Sequence, residues 1–348
     1  MVEQRDVEII LNNPIDWEQF RNKTVLVTGA TGRLGMYIVE AISKADIDWN
    51  LNVTIIALAR NKKKLEEVFG ESLKLPNIHV LVQDVTEPIN WDGDVHYIFH
   101  TAGLASPQDF TNHPVDTLWG HVQGTRNVLE LARTHNGEKV LYVSTVEIYG
   151  EWKSEDGIKE TDMGVMRCDN ARACYPEAKR LCETMLAAYE MQYGIQYVGV
   201  RLCHTFGPGI VLNDGRAFSE FIRNVLEGKD IVLQTDGSAE RTYTYVADAI
   251  GAMLLAFTKG KENYYNIANL DNLISIRDLA KLIVNLDPKG KSKVVFADGV
   301  EQKLKYLPFK LGIMDVTRIN QLGWNPQVDL EHAFRYTMES FQIGRAHV

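Results

Sequence analysis

Residues 28–35 read TGATGRLG, directly after the apolar run 24–27 and at the head of an amphipathic stretch. Glycines at 29, 32 and 35 suit a tight strand-to-helix turn that lets backbone N–H groups approach a diphosphate at a helix N-terminus. Strands are expected at 24–28, 53–59, 78–83, 97–101, 139–144 and 196–201, with helices at 34–45, 62–69, 117–134 and 176–193. Strands alternating with helices give a parallel sheet with helices on both faces.

Past residue 205 the rhythm changes. GPG at 207–209 and DG at 214–215 are loop signals, followed by a helix at 217–226, a strand at 231–234 and helices at 245–258, 276–285 and 330–341. The expected fold is α/β, a Rossmann-type doubly wound parallel sheet with a smaller C-terminal α/β substrate-binding part. Residues 23–205 with 243–268 form the dinucleotide-binding domain, and 206–242 with 269–342 the substrate-binding domain. Residues 1–22 are a prefix, with a short helix lying on the surface. Residues 343–348, IGRAHV, break the amphipathic pattern of the preceding helix and are expected to be an artefactual tail. Substrate then lies between the two parts, above the C-terminal ends of the strands.

The composition is that of an ordinary globular protein, 45% hydrophobic and 24% charged over 348 residues. A net charge of −9 argues against a nucleic-acid partner, which calls for a basic surface. No apolar run is long enough for a membrane span, and the first residues lack a secretory leader pattern, so a cytoplasmic location is expected. The cysteines, Cys168, Cys174, Cys182 and Cys203, form no C-x-x-C pair and no histidine completes a zinc spacing, so no metal is expected.

A second string, YPEAK at 175–179, sets Tyr175 and Lys179 one helical turn apart on one face. An ammonium beside a phenol favours the phenolate, a base near neutral pH. The cofactor such a turn implies is NAD(P), held by Gly29, Thr31, Gly32, Arg33, Leu34 and Gly35. At the end of the second strand, where a carboxylate would bond a ribose 2′-hydroxyl, stands Ala59, followed by Arg60. A guanidinium there holds a 2′-phosphate, which favours NADP over NAD; alternatively Arg60 stacks on adenine or belongs to a solvated helix start. Asp84 and Val85 are placed to meet the adenine, and Thr101, Ala102 and Gly103 lie where small residues let backbone approach the cofactor.

These strings, with TAGLASP (101–107), STVEIYG (144–150), TFGPG (205–209), NDGR (213–216), RTYTYVAD (241–248) and LGWNP (322–326), resemble the extended short-chain dehydrogenase/reductases that act on nucleotide sugars. Within that group the chain is most similar to the UDP-glucuronate decarboxylases, through Ala105-Ser106-Pro107, Arg172-Ala173-Cys174-Tyr175 and Asn213-Asp214-Gly215-Arg216. The resemblance implies a nucleotide-diphosphate sugar as substrate and a homodimer built on helices 117–134 and 176–193. It implies Thr145, Glu147, Tyr175 and Lys179 as catalytic residues, Tyr175 and Lys179 also meeting the cofactor. Ser106, Thr145, His204, Arg216 and Arg241 are implied as substrate contacts, the two arginines at the diphosphate. The dehydratases of the group carry an Asp-Glu pair where this chain has Val146-Glu147. His204 and His121 stand where asparagine is usual.

Three readings remain open: a redox-neutral decarboxylase or 4-epimerase working through a 4-keto sugar; an NADPH-consuming ketoreductase or epimerase-reductase, supported by Arg60 and by the resemblance of IMDVTRINQLGW (313–324) to the C-terminal part of the NADPH-using GDP-fucose synthases; and a non-enzymatic dinucleotide-sensing or scaffold protein of the same fold.

Overall fold

The computed structural model describes residues 2–152, 156–287, 289–297 and 313–345. Its elements in chain order are α1 (Gln4–Leu11), β1 (Thr24–Thr28), α2 (Arg33–Trp49), β2 (Thr54–Ala59), α3 (Lys62–Phe69), β3 (Ile78–Val82), β4 (Tyr97–His100), α4 (Pro107–Asn112), α5 (Pro114–Thr134), β5 (Lys139–Thr145), α6 (Cys174–Tyr193), β6 (Gln196–Leu202), β7 (His204–Phe206), α7 (Ala217–Leu226), β8 (Ile231–Leu233), β9 (Glu240–Tyr245), α8 (Val246–Lys259), β10 (Tyr264–Ile267), β11 (Leu273–Ser275), α9 (Ile276–Asn285), β12 (Val294–Phe296), α10 (Thr317–Gln321) and α11 (Leu330–Arg345).

Seven strands form one parallel sheet in the order β10-β6-β5-β4-β1-β2-β3. The order reverses between β1 and β4, and at such a switch point a crevice opens beyond the strand ends. β1 is buried from its second residue on, because helices cover both faces of the sheet. α8 is buried along nearly its whole length, Val246 to Thr258. Its sequence, VADAIGAMLLAFTK, is apolar all round, as a helix wrapped by neighbours requires. Its Phe257 ring lies 4.7 Å from Phe99 and 6.0 Å from Phe20, tying the helix to the centre of the sheet.

The substrate-side part is built on a second sheet, β11-β9-β7, and a two-stranded pair, β12-β8. β7 follows β6 almost without a break, so His204 leaves the large sheet and enters the small one.

The prefix differs from expectation. It does not merely lie on the surface: Asp6 and Ile10 of α1 and Phe20 beyond it are fully buried. The Asp6 carboxylate accepts hydrogen bonds from Tyr37 of α2 at 2.8 Å and Tyr245 of β9 at 2.9 Å. The Arg5 guanidinium sits 3.5 Å above the Tyr336 ring of α11. A short amphipathic helix with one acid on its inner face reads as surface until its two phenol donors are known. At the other terminus, the α11 backbone runs to Arg345, three residues into the expected tail; 346–348 lie outside the described residues.

No helix among the described residues is long and apolar enough to cross a membrane. Among the same residues no cluster of three or more His, Cys, Asp or Glu side chains could hold a metal ion.

Candidate active site

The turn after β1 is closed so tightly that side chains cannot enter it. A Cβ on Gly35 would stand 2.4 Å from the Gly29 carbonyl oxygen, and one on Gly29 would stand 2.9 Å from the Ala102 backbone nitrogen. Gly29 also has a φ of +65°, which side chains disfavour. Backbone therefore comes flush against whatever lies over the N-terminus of α2. A groove of about 770 Å³ runs from there across the strand ends. Gly29, Thr31, Gly32, Arg60, Asp84, Val85, Thr101, Ala102 and Gly103 line it. Arg33 and Leu34 face the adjoining chamber instead, and Gly35 is buried beneath the turn.

The Arg33 guanidinium donates to the Thr205 carbonyl at 2.8 Å, and its buried Nε has no hydrogen-bond partner among the described residues. Burial, with Arg216 nearby, pushes its pKa down to about 10, so it stays a cation at neutral pH. A cation with an unmet donor beside a helix N-terminus suits a phosphate oxygen. The closed glycine turn, the long groove and this orphaned donor together fit a dinucleotide. At the far end, exposed Arg60 pairs with Asp84 at 3.6 Å, and Asp84 accepts from the Thr86 amide and hydroxyl.

The adjoining chamber, about 210 Å³, brings Arg33, Thr145, Glu147, Tyr175, His204 and Arg216 together. β5 carries Ser144 and Thr145 to its rim, and the first turn of α6 carries Tyr175. The Thr145 hydroxyl accepts from the Glu147 amide at 3.2 Å and lines the same chamber as the Tyr175 phenol. Burial, then the Glu147 charge, pushes Tyr175 up to about 12, while Thr145, Arg216 and Arg172 pull the other way. Lys179 sits one turn along, its ammonium 5.8 Å from the Tyr175 ring and donating to the Val143 carbonyl at 2.6 Å. Burial lowers Lys179 to about 8.

Outward, the chamber opens into a cleft of about 660 Å³ whose walls include Glu147, Arg172, His204, Arg216, Arg241 and Tyr243. Arg216 donates to the Ala105 carbonyl at 2.5 Å and pairs with Asp214 at 3.2 Å. Arg241, from β9, donates to the Glu240 carbonyl at 2.7 Å. Burial, with Arg241 and Arg216 close by, lowers His204 to about 3, so it is a neutral hydrogen-bonding group. Ser106 is spent differently from expectation: it is the N-cap of α4, accepting from the Asp109 amide at 3.2 Å and donating to the Asp109 carboxylate at 2.6 Å. Its neighbours Ala105 and Pro107 line the chamber. His121 is buried, its Nε2 2.9 Å from the Leu104 carbonyl oxygen, and it packs under Gly103.

Three features escaped the sequence reading. Arg172 holds both Glu147 oxygens, at 3.1 and 2.9 Å. The Phe110 ring stacks on Tyr175 with centroids 4.2 Å apart. Glu183 and Arg201 form a buried ion pair at 2.7 Å behind Ser144, whose hydroxyl donates to Glu183 at 2.5 Å. Glu183 had a signal: Tyr175, Lys179 and Glu183 recur every fourth residue, a polar stripe on the buried face of α6.

The NAD dependent epimerase/dehydratase family model matches residues 25–268. UDP-glucuronic acid decarboxylase 1 of Xenopus tropicalis is 30% identical over 328 residues, covering 93% of this chain and 73% of the relative. UDP-glucuronic acid decarboxylase 6 of Arabidopsis thaliana is 28% identical, covering 92% of this chain and 90% of the relative. Among solved structures, UDP-glucuronic acid 4-epimerase from Bacillus cereus, in complex with UDP-glucuronic acid and NAD, superposes with a TM-score of 0.74 at 21% identity, covering 92% of this chain and 99% of that one. UDP-glucose 4-epimerase from Thermotoga maritima gives 0.75 at 23% identity, with 92% and 99% covered. With a glycine turn closed over the first strand, a long groove beside it and a Thr-Tyr-Lys centre at the mouth of the sheet, the chain belongs to the NAD dependent epimerase/dehydratase family.

Proposed function

We propose that the protein is a redox-neutral, nicotinamide-dependent enzyme that decarboxylates a nucleoside-diphosphate-linked sugar acid, with UDP-glucuronate as the substrate to test first. The observation that carries this reading is the joining of the Thr145–Tyr175–Lys179 centre to an arginine-walled cleft beside a dinucleotide groove. The decarboxylase relatives support the choice of sugar.

Arg216 and Arg241 receive the diphosphate, since planar guanidinium forks match phosphate oxygens. Thr145 and Tyr175 take the sugar 4-hydroxyl between them, and the Tyr175 phenolate removes its proton. When bound, the nicotinamide supplies hydride acceptance from C4 and, in its oxidised form, a positive charge that favours the phenolate. A sugar bearing a C6 carboxylate then becomes a β-keto acid. Its C5–C6 bond breaks, CO₂ leaves, and the electron pair stays as an enolate that takes a proton from water at C5. Tyr175 would then hand its proton back to the C4 oxygen, and with the hydride that a bound cofactor would return the product is a pentose. Glu147 stands at the chamber wall, where it can orient the ring. A neutral sugar in the same site has no CO₂ to lose, and rotation before hydride return makes it an epimer.

Incubation with UDP-glucuronate and either cofactor, followed by ¹H NMR of the sugar and absorbance of the bulk cofactor, tests the reading. A pentose with no net reduced cofactor is expected. Stoichiometric accumulation of reduced cofactor would replace this reading with an oxidative decarboxylase that releases the 4-keto pentose, and consumption of added NADPH with a 4-keto sugar would replace it with the net reductase.

Arg241→Ala is expected to raise KM at least tenfold, the loss of one charge-assisted phosphate contact, with kcat within about threefold of wild type. An unchanged KM in steady-state kinetics would remove Arg241 from the substrate contacts.

For the cofactor we propose NADP over NAD. Ala59 leaves no acid at the end of β2, and Arg60 and Lys64 both line the groove. Binding requires Arg60 to leave Asp84, an exposed pair of small worth. Arg60→Ala is expected to weaken NADP binding about tenfold and NAD binding less than threefold, read by titration calorimetry. Equal losses for the two would assign Arg60 to the adenine.

A further inference from the structure

We propose that Arg172 is a positioning residue for Tyr175, the counter-cation that keeps the Glu147 charge from the phenol while seated on the Phe110 ring that stacks against it. The inference rests on the reading of Tyr175 as the base, and it gives a task to the arginine three residues before it.

The geometry is a layered one. Tyr175 lies face to face with Phe110, centroids 4.2 Å apart and planes 17° from parallel. The Arg172 guanidinium lies 4.7 Å from the Phe110 centroid. From there its Nη2 reaches both oxygens of Glu147, at 3.1 and 2.9 Å. Phe110 is held by α4, whose N-cap is Ser106, and Arg172 by a short turn in which the Asn170 side chain accepts from its backbone amide at 2.9 Å. Three segments distant in the chain therefore converge on the phenol, and the cation of the set sits where it can neutralise the one carboxylate of the set.

That carboxylate matters because it is close enough to oppose phenolate formation. Glu147 raises the Tyr175 pKa and Arg172 lowers it, on top of the burial that dominates. The other groups facing the phenol are Lys179 on its own helix, Tyr142 on β5, His121 on α5 and Arg216 ahead of α7. His121 is held neutral by burial and contributes no charge near pH 7. Arg33 also lines the chamber, so removing Arg172 takes away the one cation bonded to Glu147 and leaves Arg216, Arg33 and Lys179 as the remaining cations near the phenol. An arginine suits the task better than a lysine, because a planar guanidinium can lie on an aromatic face and hold a carboxylate at the same time.

The test needs neither substrate nor turnover, so it stands apart from the choice of sugar. Protein labelled with ¹³Cζ tyrosine is titrated by NMR with NADP⁺ at saturation, the Tyr175 resonance being assigned by its absence in Tyr175→Phe. Arg172→Gln is expected to move the Tyr175 midpoint up by about half a pH unit or more. Arg172→Lys, which keeps the charge, should stay within about 0.3 unit of wild type, and the double variant Arg172→Gln/Glu147→Gln should return to it. Arg172 is on the cleft wall, and an unchanged melting temperature shows the variants are folded. A midpoint within 0.2 unit of wild type in Arg172→Gln, no recovery in the double variant, or a Tyr175 resonance that titrates in neither protein below pH 11 would overturn the proposal.

Discussion

Tyr175→Phe is expected to lower kcat by about three orders of magnitude while dinucleotide affinity and melting temperature remain at wild-type values, because it deletes one proton acceptor and no packing. The ring is buried against Phe110, and phenylalanine keeps that stack. Only the hydroxyl beside Thr145 is lost. The pH dependence carries a second signature. Burial holds the phenol up near 12, so at neutral pH the protonated form dominates and the phenolate fraction rises tenfold per pH unit below the midpoint. A bound nicotinamide cation moves that midpoint down, yet the rate of the wild-type enzyme should still climb from pH 6 to pH 8. Lys179, lowered to about 8 by burial, loses its charge above that range and ceases to help the phenolate. The two groups are one helical turn apart, so the limbs of a kcat/KM profile belong to the pair. Residual turnover in Tyr175→Phe should lack the rising limb. Steady-state rates from pH 5.5 to 9.5 in both proteins check this, and activity within tenfold of wild type in the variant would remove Tyr175 as the base.

The parts of this molecule that are legible in its sequence are those where a local rule and the tertiary structure demand the same residues. TGATGRLG is such a place: the turn closes backbone on backbone, only glycine fits at 29 and 35, and the pattern shows it. The alternation up to β6 is equally plain, since strands buried on both faces are apolar runs and the helices between them are amphipathic. β10 was not read as a strand, because YYNI is four residues long and takes its seventh place in the sheet from pairing with β6. β7, β9 and β11 were likewise too short or too mixed to read, their aromatic residues being selected by contacts such as Phe206 on Phe334 at 4.2 Å. In the site, Arg33 was legible as part of the turn, but its side chain reaches the Thr205 carbonyl, 172 residues along the chain. Ser106 occurs in a motif string and is spent on a helix cap. Composition and spacing report which residues are near the chemistry; they do not report which of their atoms are already taken.

Breaking the Glu183–Arg201 pair is expected to have the largest effect on stability. Arg201 is 2% exposed and Glu183 5%. Besides their mutual bonds at 2.7 and 3.2 Å, Arg201 donates to the Tyr149 hydroxyl at 2.9 Å and the Glu160 carbonyl at 2.7 Å, and Glu183 accepts from Ser144. Arg201→Met strands a buried carboxylate and leaves two acceptors unmet, which costs about 3–5 kcal/mol. For a chain of 348 residues the unfolding entropy is about 0.7 kcal/mol/K, so the melting temperature should fall by about 4–7 °C in calorimetry. Glu183→Gln keeps an acceptor for Ser144 and should cost less. The double variant Glu183→Leu/Arg201→Met should recover a large part of the loss, since a buried ion pair repays its desolvation only barely and the worst state is the one with a single charge left. The pair also carries consequence for the chemistry. Glu183 is one turn beyond Lys179 on α6 and accepts from Ser144, which precedes Thr145 on β5, so Arg201 of β6 steadies the carboxylate that ties the helix carrying Tyr175 to the strand carrying Thr145. The single variants should therefore lose kcat at temperatures well below their melting points, with KM for the nucleotide sugar changing little because Arg216 and Arg241 stand on other elements. A melting temperature within 2 °C of wild type in Arg201→Met would mean that the neighbouring groups relax around the lone carboxylate and that Arg201 does not steady it.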